Sequence, residues 1–88
     1  MACYIVSYDL RAPGRDYEEL YAAIKAYGTW ARITESMWAV VTTKKAVEVR
    51  DDLKKHLDSN DRLFVLKSAT EAAWRNVRCH DEWLKEHL

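Results

Sequence analysis

The chain opens with a short run of apolar residues. Residues 2–10, ACYIVSYDL, carry β-branched and aromatic side chains at both odd- and even-numbered positions, which face opposite sides of a strand. A strand that is apolar on both faces is typical of the centre of a sheet. We therefore predict a central first strand, which ends at the Pro-Gly turn signal of Pro13–Gly14.

Two later segments have helical spacing of their apolar residues. Asp16 is the predicted N-cap of the first helix, with Glu19 three residues later, and Gly28 suits the left-handed residue that ends a helix. Thr43 is the predicted N-cap of the second helix, and the turn-forming residues 58–61 end it. The apolar stripes are Tyr17, Leu20, Tyr21, Ile24 and Tyr27 in the first helix, and Ala46, Val49, Leu53 and Leu57 in the second.

The remaining segments predict three strands and a helical tail. Residues 29–42 read as two strands that reverse direction near Glu35–Ser36. Leu63–Leu66 is the predicted fourth strand. After it, two short helices are predicted at Glu71–Trp74 and within His80–Leu88.

This order of elements predicts the fold class. Strand, helix, strand, strand, helix, strand indicates an α+β, ferredoxin-like βαββαβ sandwich, in which two helices cover one face of an antiparallel four-stranded sheet. We expect residues 1–68 to form this domain. Residues 69–88 are predicted to form a short helical tail that packs on the domain or on its dimer partner. The sheet face opposite the helices is apolar and needs such a cover.

Composition narrows the class of protein further. The 88 residues are 49% hydrophobic, which indicates one folded domain, not a disordered chain. Fourteen basic and fourteen acidic residues give zero formal charge, which argues against coating nucleic acid by bulk charge and leaves a local basic patch open. The sequence contains no run of 18 apolar residues, so no membrane span is predicted. Two cysteines form no disulfide framework, so a reducing cytoplasm is the expected location.

Asp9 is the leading candidate for a catalytic or metal-binding carboxylate. It ends the predicted central strand, and strand ends beside crossover loops are favoured places for ligands. The alternative is that Asp9 only caps a turn. One carboxylate is a poor magnesium site, so a Mg²⁺ cofactor would need Asp9 of a second subunit. Glu35 and Asp61 are the other acidic candidates.

Arginines from different elements form a candidate nucleic-acid site. Arg11, Arg15 and Arg32 lie near predicted strand ends, and Arg62 begins the last strand region. The guanidinium fork matches phosphate oxygens, and nearby aromatic rings can stack on unpaired bases. The alternative is a set of scattered, solvated arginines, which the zero net charge favours.

The aromatic residues predict an interface between two chains. An uncovered sheet face in so small a domain predicts a homodimer with a twofold axis. The predicted interface residues are Tyr4, Tyr8, Trp38, Trp74 and Trp83.

Other familiar chemistries lack their sequence signals. No Cys-x-x-Cys or His-Glu-x-x-His spacing indicates zinc, and Cys79–His80 alone offers too few ligands. Gly14 and Gly28 are the only glycines, so no Gly-rich phosphate loop exists. The sequence therefore excludes a serine hydrolase, a nucleotide-dependent kinase and a Rossmann-fold protein.

Several segments carry a family resemblance. Three segments, Pro13-Gly14-x-Asp16-Tyr17, the hairpin Ser36-x-Trp38 and the strand entry Asn60-Asp61-x-Leu63, resemble small bacterial proteins labelled as the SinR family. The tail with Glu71-Ala72-Ala73-Trp74 and Trp83-Leu84 belongs to the same resemblance. The strand run Ile5–Leu10, followed by a helix that ends at Tyr27–Gly28 and by the hairpin Thr34–Trp38, resembles the second family of CRISPR-associated adaptation proteins and the virulence-associated protein D toxins.

The resemblance implies a ferredoxin-like fold, a cytoplasmic homodimer and contact with RNA or DNA. For some CRISPR-associated members it implies a magnesium-dependent nuclease that uses an Asp at the end of the first strand, and Asp9 matches that position. Three hypotheses stay open: a nucleic-acid-binding dimer with metal-dependent cleavage, a non-catalytic interaction module, and a small-ligand-binding domain.

Overall fold

The computed structural model describes residues 1–11, 17–69 and 71–88 of the chain. Within these ranges the protein is an α+β structure with a four-stranded antiparallel sheet and three helices. In chain order the elements are β1 (Ala2–Asp9), α1 (Glu18–Lys25), β2 (Thr29–Thr34), β3 (Met37–Thr42), α2 (Ala46–Lys54), β4 (Arg62–Lys67) and α3 (Asp81–His87).

The strands lie in the order β2-β3-β1-β4. Val6 of β1 lies opposite Trp38 of β3 on one side and Val65 of β4 on the other. The first strand is therefore interior, which confirms the prediction drawn from its two apolar parities. The predicted reversal at Glu35–Ser36 is confirmed as the turn between β2 and β3.

One face of the sheet carries α1 and α2. Alternate residues of β1, namely Tyr4, Val6 and Tyr8, pack with Trp38 of β3 in a core that both helices close. Leu20, Ile24, Val49 and Leu53 supply the helical side of this core. Burying each such side chain contributes about 1.5 to 3 kcal/mol.

The location of this core corrects the predicted interface. Tyr4, Tyr8 and Trp38 are buried inside a single chain because the helices cover the face on which these three side chains lie. Their assignment to a surface between two chains is wrong. Both alternating sets of β1 side chains are apolar, so the sequence does not reveal which set faces the helices.

The opposite face of the sheet carries the C-terminal tail. Leu84 of α3 is only 1% exposed and packs on Cys3, Ile33 and Ala39. Trp74 and Trp83 are half-buried in the same cluster. The tail therefore covers the β2, β3 and β1 region of this face.

The ends of α1 follow the sequence signals in part. Tyr17 occupies the N-cap position without a side-chain cap bond. The predicted N-cap Asp16 and the predicted turn Pro13–Gly14 lie outside the described residues. After the helix, Gly28 has φ +91°, which confirms the predicted left-handed residue.

The start of α2 differs from the prediction. The chain stays extended at Lys45, so the helix begins at Ala46 and Thr43 is not its N-cap. The Glu48 carboxylate accepts a hydrogen bond from the Lys45 backbone N–H at 2.9 Å. Glu48 therefore binds the N–H of the N-cap residue from the first turn, and no side-chain cap bond forms at Lys45.

The tail contains one of its two predicted helices. α3 confirms the helix expected within residues 80–88, whereas Glu71–Trp74 is not helical. A segment of four residues does not offset the cost of starting a helix. Asn76 has φ 55°, and the Arg78 backbone N–H donates to the Ile33 carbonyl at 2.9 Å. Among the described residues, no helix has the length and apolar character needed to cross a membrane.

Candidate functional site

Asp9 lies at the end of β1 between two arginines. Its Oδ2 accepts hydrogen bonds from Arg11 Nη1 at 3.3 Å and from Arg62 Nη1 at 3.4 Å. The sheet register explains the second contact, because Asp9 lies directly opposite Arg62. The Asp9 side chain is 53% exposed. Its charge is therefore balanced by guanidinium groups at the protein surface.

Glu35, in the turn after β2, lies between a second pair of arginines. Arg78 Nη1 lies 3.0 Å from its Oε1, and Arg32 Nη2 lies 3.9 Å from its Oε2. Arg32 Nη2 also donates to the Glu35 carbonyl at 2.8 Å. The Arg32 guanidinium carbon lies 5.0 Å from the ring centroids of both Tyr21 and Trp38. Stacking on two aromatic faces fixes this guanidinium in place.

The two arginine pairs lie at the same end of the sheet. The Tyr8 backbone N–H donates to the Ser36 carbonyl at 3.0 Å, and Tyr8 Oη donates to the Glu35 carbonyl at 3.2 Å. Trp38 Nε1 in turn donates to Tyr8 Oη at 2.8 Å, and burial raises the pKa of Tyr8. This buried network holds the hairpin turn beside the end of β1.

The predicted nucleic-acid residues divide between these pairs. Arg11 belongs to the Asp9 pair and Arg32 to the Glu35 pair. Arg15 lies outside the described residues. Arg78 joins these arginines at the sheet end, although no sequence pattern predicted it. It contacts Glu35 from the irregular part of the tail.

Asp61 has a structural role at this end of the sheet. Its carboxylate accepts from Tyr17 Oη at 2.9 and 2.8 Å, from the Arg11 backbone N–H at 2.7 Å and from the Asp58 backbone N–H at 2.7 Å. These donors tie the segment after β1 and the start of α1 to the start of β4. The carboxylate oxygens are engaged in holding the fold.

Among the described residues, the donors around Asp9 in one chain do not fit a magnesium ion. Mg²⁺ takes six oxygen ligands and commonly more than one anionic group. Asp9 offers one carboxylate whose Oδ2 already faces two guanidinium groups, and the oxygens of Asp61 hold four donor contacts. Across residues 1–11, 17–69 and 71–88, no group of three or more His, Cys, Asp or Glu side chains is placed to hold a metal.

Among the large apolar side chains of the described sheet, the two on β4 have the highest exposed fractions. Phe64 is 62% exposed and Leu66 is 41% exposed. They lie opposite Ser7 and Ile5 and therefore share the face that carries the tail, although the tail leaves them open. The sequence did contain a signal. The run LFVL is apolar on both parities, although the last strand of a βαββαβ order lies at the edge of the sheet.

A cleft of about 400 Å³ separates the C-terminal half of α1 from α2. At its wall the Asp52 carboxylate accepts from Lys44 Nζ at 2.6 Å and from Tyr27 Oη at 2.8 Å. These hydrogen bonds lower the pKa of Asp52, that from Lys44 most strongly. Burial, and next the bond to Asp52, raise the pKa of Tyr27. The groups satisfy one another and join the two helices.

No protein-family model matches the chain. The resemblance to the SinR-labelled, CRISPR-associated and virulence-associated proteins therefore stays a prediction.

Proposed function

We propose that the protein is a homodimeric interaction module with a ferredoxin-like fold, in which β4 of one chain pairs with β4 of a second copy. The strand order β2-β3-β1-β4, with α1 and α2 on one face, supports the ferredoxin-like assignment. The observation that carries the dimer is β4 itself, an edge strand with exposed Phe64 and Leu66.

The backbone of β4 supports pairing with another strand. In the described sheet β4 bonds to β1 along one side only, so its outer side presents N–H and C=O groups to a second chain. Six residues, Arg62–Lys67, form the strand, which is enough for a short antiparallel ladder. A twofold axis through this edge joins two sheets into one of eight strands.

The side chains of β4 support the same arrangement. Residues directly opposite each other in an antiparallel ladder project to the same face. Phe64 of one chain therefore meets Phe64 or Leu66 of the second copy. Each of these side chains contributes about 1 to 2 kcal/mol when its exposed part is buried. Arg62 and Lys67 project to opposite faces, so the ladder does not place these two cations opposite each other.

Phe64→Asp is the variant that tests the dimer. Light scattering coupled to size exclusion should give twice 10.3 kDa for the wild type and 10.3 kDa for the variant. A charge at this position would be buried without a partner in the dimer, whereas in the monomer it faces water. Val47→Asp is the matched control, because Val47 is 49% exposed on α2, and this variant should stay dimeric.

Two results would contradict the proposal. One is a wild-type mass of 10.3 kDa at tens of micromolar. The other is a Phe64→Asp protein that stays as dimeric as Val47→Asp, since the dimer would then use a different surface.

A second candidate function is contact with RNA or DNA at the sheet end that carries both arginine pairs. Four guanidinium groups surround Asp9 and Glu35. With the Asp61 carboxylate, which bonds to the Arg11 backbone at the same end, the excess is one positive charge. Arginine pairs with phosphate in a bidentate geometry, and such binding weakens as salt increases. The local excess supports this candidate although the net charge of the chain is zero.

Binding of labelled single-stranded RNA and DNA at rising salt tests the second candidate. Arg62→Gln should weaken binding several-fold and flatten the salt dependence, whereas Arg50→Gln, on α2 and paired with Asp51, should not. Parallel incubations with magnesium and with chelator, beside Asp9→Asn, test cleavage separately. Equal binding by both arginine variants would contradict this candidate.

A further inference from the structure

A pocket of about 340 Å³ lies between the sheet and the tail, on the face opposite α1 and α2. One apolar residue from each of the four strands lines it, namely Ile5, Ile33, Met37 and Leu66. Trp74 and Leu84 line it from the tail. The tail therefore crosses this face of the sheet without filling the space beneath it.

The walls of this pocket belong to a single face of the sheet. Ile5 lies directly opposite Leu66, and residues opposite each other in an antiparallel ladder project to the same face. Ile33, Met37 and Leu84 belong with Ile5 to the cluster that the tail covers. No strand therefore separates one wall of the pocket from another.

The polar residues along the wall direct their polar groups elsewhere. Lys67 lies opposite Tyr4, so its side chain projects to the helical face of the sheet. The Ser68 backbone N–H is bonded to β1, and Trp74 Nε1 donates to the Asp81 carboxylate at 3.2 Å. Ordered water in a protein typically makes about three hydrogen bonds, so a pocket with apolar walls holds water weakly and favours an apolar ligand.

The charge at the pocket further limits the ligand. Glu71 and Lys67 carry the charged side chains among the described lining residues, and that of Lys67 lies on the other face. Glu71 is exposed and acidic. The pocket therefore disfavours an anion.

The size of the pocket limits the ligand as well. Ligand pockets have volumes of about 300 to 1,000 Å³, and this one lies at the lower end of that range. The Trp74 ring and the Met37 thioether offer aromatic and polarizable surfaces, which pack well on another ring. These properties suit a compact ring compound, not an extended acyl chain.

We propose that this pocket binds a neutral, apolar compound of one ring or two fused rings, held between Met37 of the sheet and Trp74 of the tail. All of its walls come from one chain. The proposal therefore rests neither on the β4 dimer nor on contact with nucleic acid.

The test is NMR titration of the full chain with indole, toluene, benzoate and decanoate. Indole and toluene should shift the Met37 methyl signal and the Trp74 indole N–H signal, and leave that of Trp30, which does not line the pocket, unchanged. Benzoate carries the same ring as toluene with a negative charge, and it should bind at least about tenfold more weakly. Decanoate should bind more weakly than indole.

Three results of this titration would overturn the proposal. The first is an absence of Met37 and Trp74 shifts with millimolar indole and toluene. The second is benzoate binding as tight as that of toluene, because the ring would then not enter an apolar space. The third is decanoate binding tighter than that of indole, which would assign the pocket to acyl chains.

A pair of variants assigns the wall of the pocket. Met37→Gln keeps the length of the side chain but adds an amide, and it should weaken indole binding about tenfold or more. Met37→Leu is the matched control, an apolar and volume-conserving change that should keep the affinity within about threefold of the wild type. Melting curves without ligand check that both variants fold. Equal affinity of the two folded variants would refute the assignment.

Phe64→Asp separates this pocket from the β4 dimer. Phe64 is exposed on β4 and does not line the pocket, so the variant should bind indole as the wild type does. A monomeric wild type that binds indole would contradict the β4 dimer alone. Tighter indole binding by Phe64→Asp, together with loss of the wild-type dimer as indole is added, would show that a second copy fills the pocket and would overturn the proposal.

Discussion

The two edges of the sheet are closed in different ways. At β2 the chain covers its own edge, because the Arg78 backbone N–H donates to the Ile33 carbonyl. Leu84, further along the tail, packs on the neighbouring sheet face. At β4 no other strand of the described residues follows, and Phe64 and Leu66 stay exposed.

This difference shows how a short chain distributes a limited supply of apolar surface. A tail of about 20 residues reaches across β2, β3 and β1 but not across β4. An edge strand left open is a template for another strand, so proteins usually protect it. We infer that a second copy supplies the protection that the tail does not.

The largest expected effect concerns the edge that the tail covers. Leu84→Ala leaves a cavity beneath α3 and should lower the free energy of unfolding by about 3 kcal/mol, measured by urea denaturation at one fixed protein concentration. Val47→Ala, at an exposed position on α2, is the control and should change it by less than about 0.5 kcal/mol. Similar losses in both variants would show that the tail does not stabilise the sheet.

An intermediate effect is expected where β4 begins. Asp61→Asn removes the charge that Tyr17 Oη and two backbone N–H groups contact, so we expect a loss of about 2 kcal/mol in urea denaturation. Asp51→Asn breaks only exposed ion pairs with Arg50 and Lys54 and should cost less than about 1 kcal/mol. Equal costs would mean that the start of β4 is held by other contacts.

The smallest effect is expected at the link between α1 and α2, away from both edges. The pKa of Asp52 is lowered from its ordinary value of 3.8, mainly by the hydrogen bond from Lys44 and also by that from Tyr27. Its stabilising contribution is therefore present above pH 3.8 and is lost as the pH falls through the lower, folded-state pKa.

Asp52→Asn should accordingly be less stable than the wild type at pH 6, and the difference should narrow below pH 3.8. Thermal unfolding across this pH range measures this difference in stability, with the molecular mass checked in parallel. A difference that stays constant down to pH 3 would contradict the assignment of the pKa shift.

The sequence predicted the elements of this fold well because periodicity and turn residues are local. The hairpin at Glu35–Ser36 and the left-handed Gly28 both follow from neighbouring residues. The apolar parities of β1 indicated an interior strand for the same reason. The predicted start of α2 was wrong because the chain stays extended at Lys45, and the position of Thr43 in the sequence does not reveal this path.

The candidate site was harder to predict because it joins distant segments. Asp9 faces Arg62 only through the register of β1 and β4, and Arg78 reaches Glu35 only because the tail folds back on the sheet. The assignment of Tyr4, Tyr8 and Trp38 to an interface failed since alternation along a strand does not identify the face that helices cover.

Amide hydrogen exchange along β4 tests the central claim most directly. In the wild type at tens of micromolar, the amides of residues 62–67 that point away from β1 should be protected by the second copy, and Phe64→Asp should remove that protection while β2 is unchanged. Outward β4 amides that exchange in the wild type as fast as those in the variant would contradict the pairing of β4 between two chains.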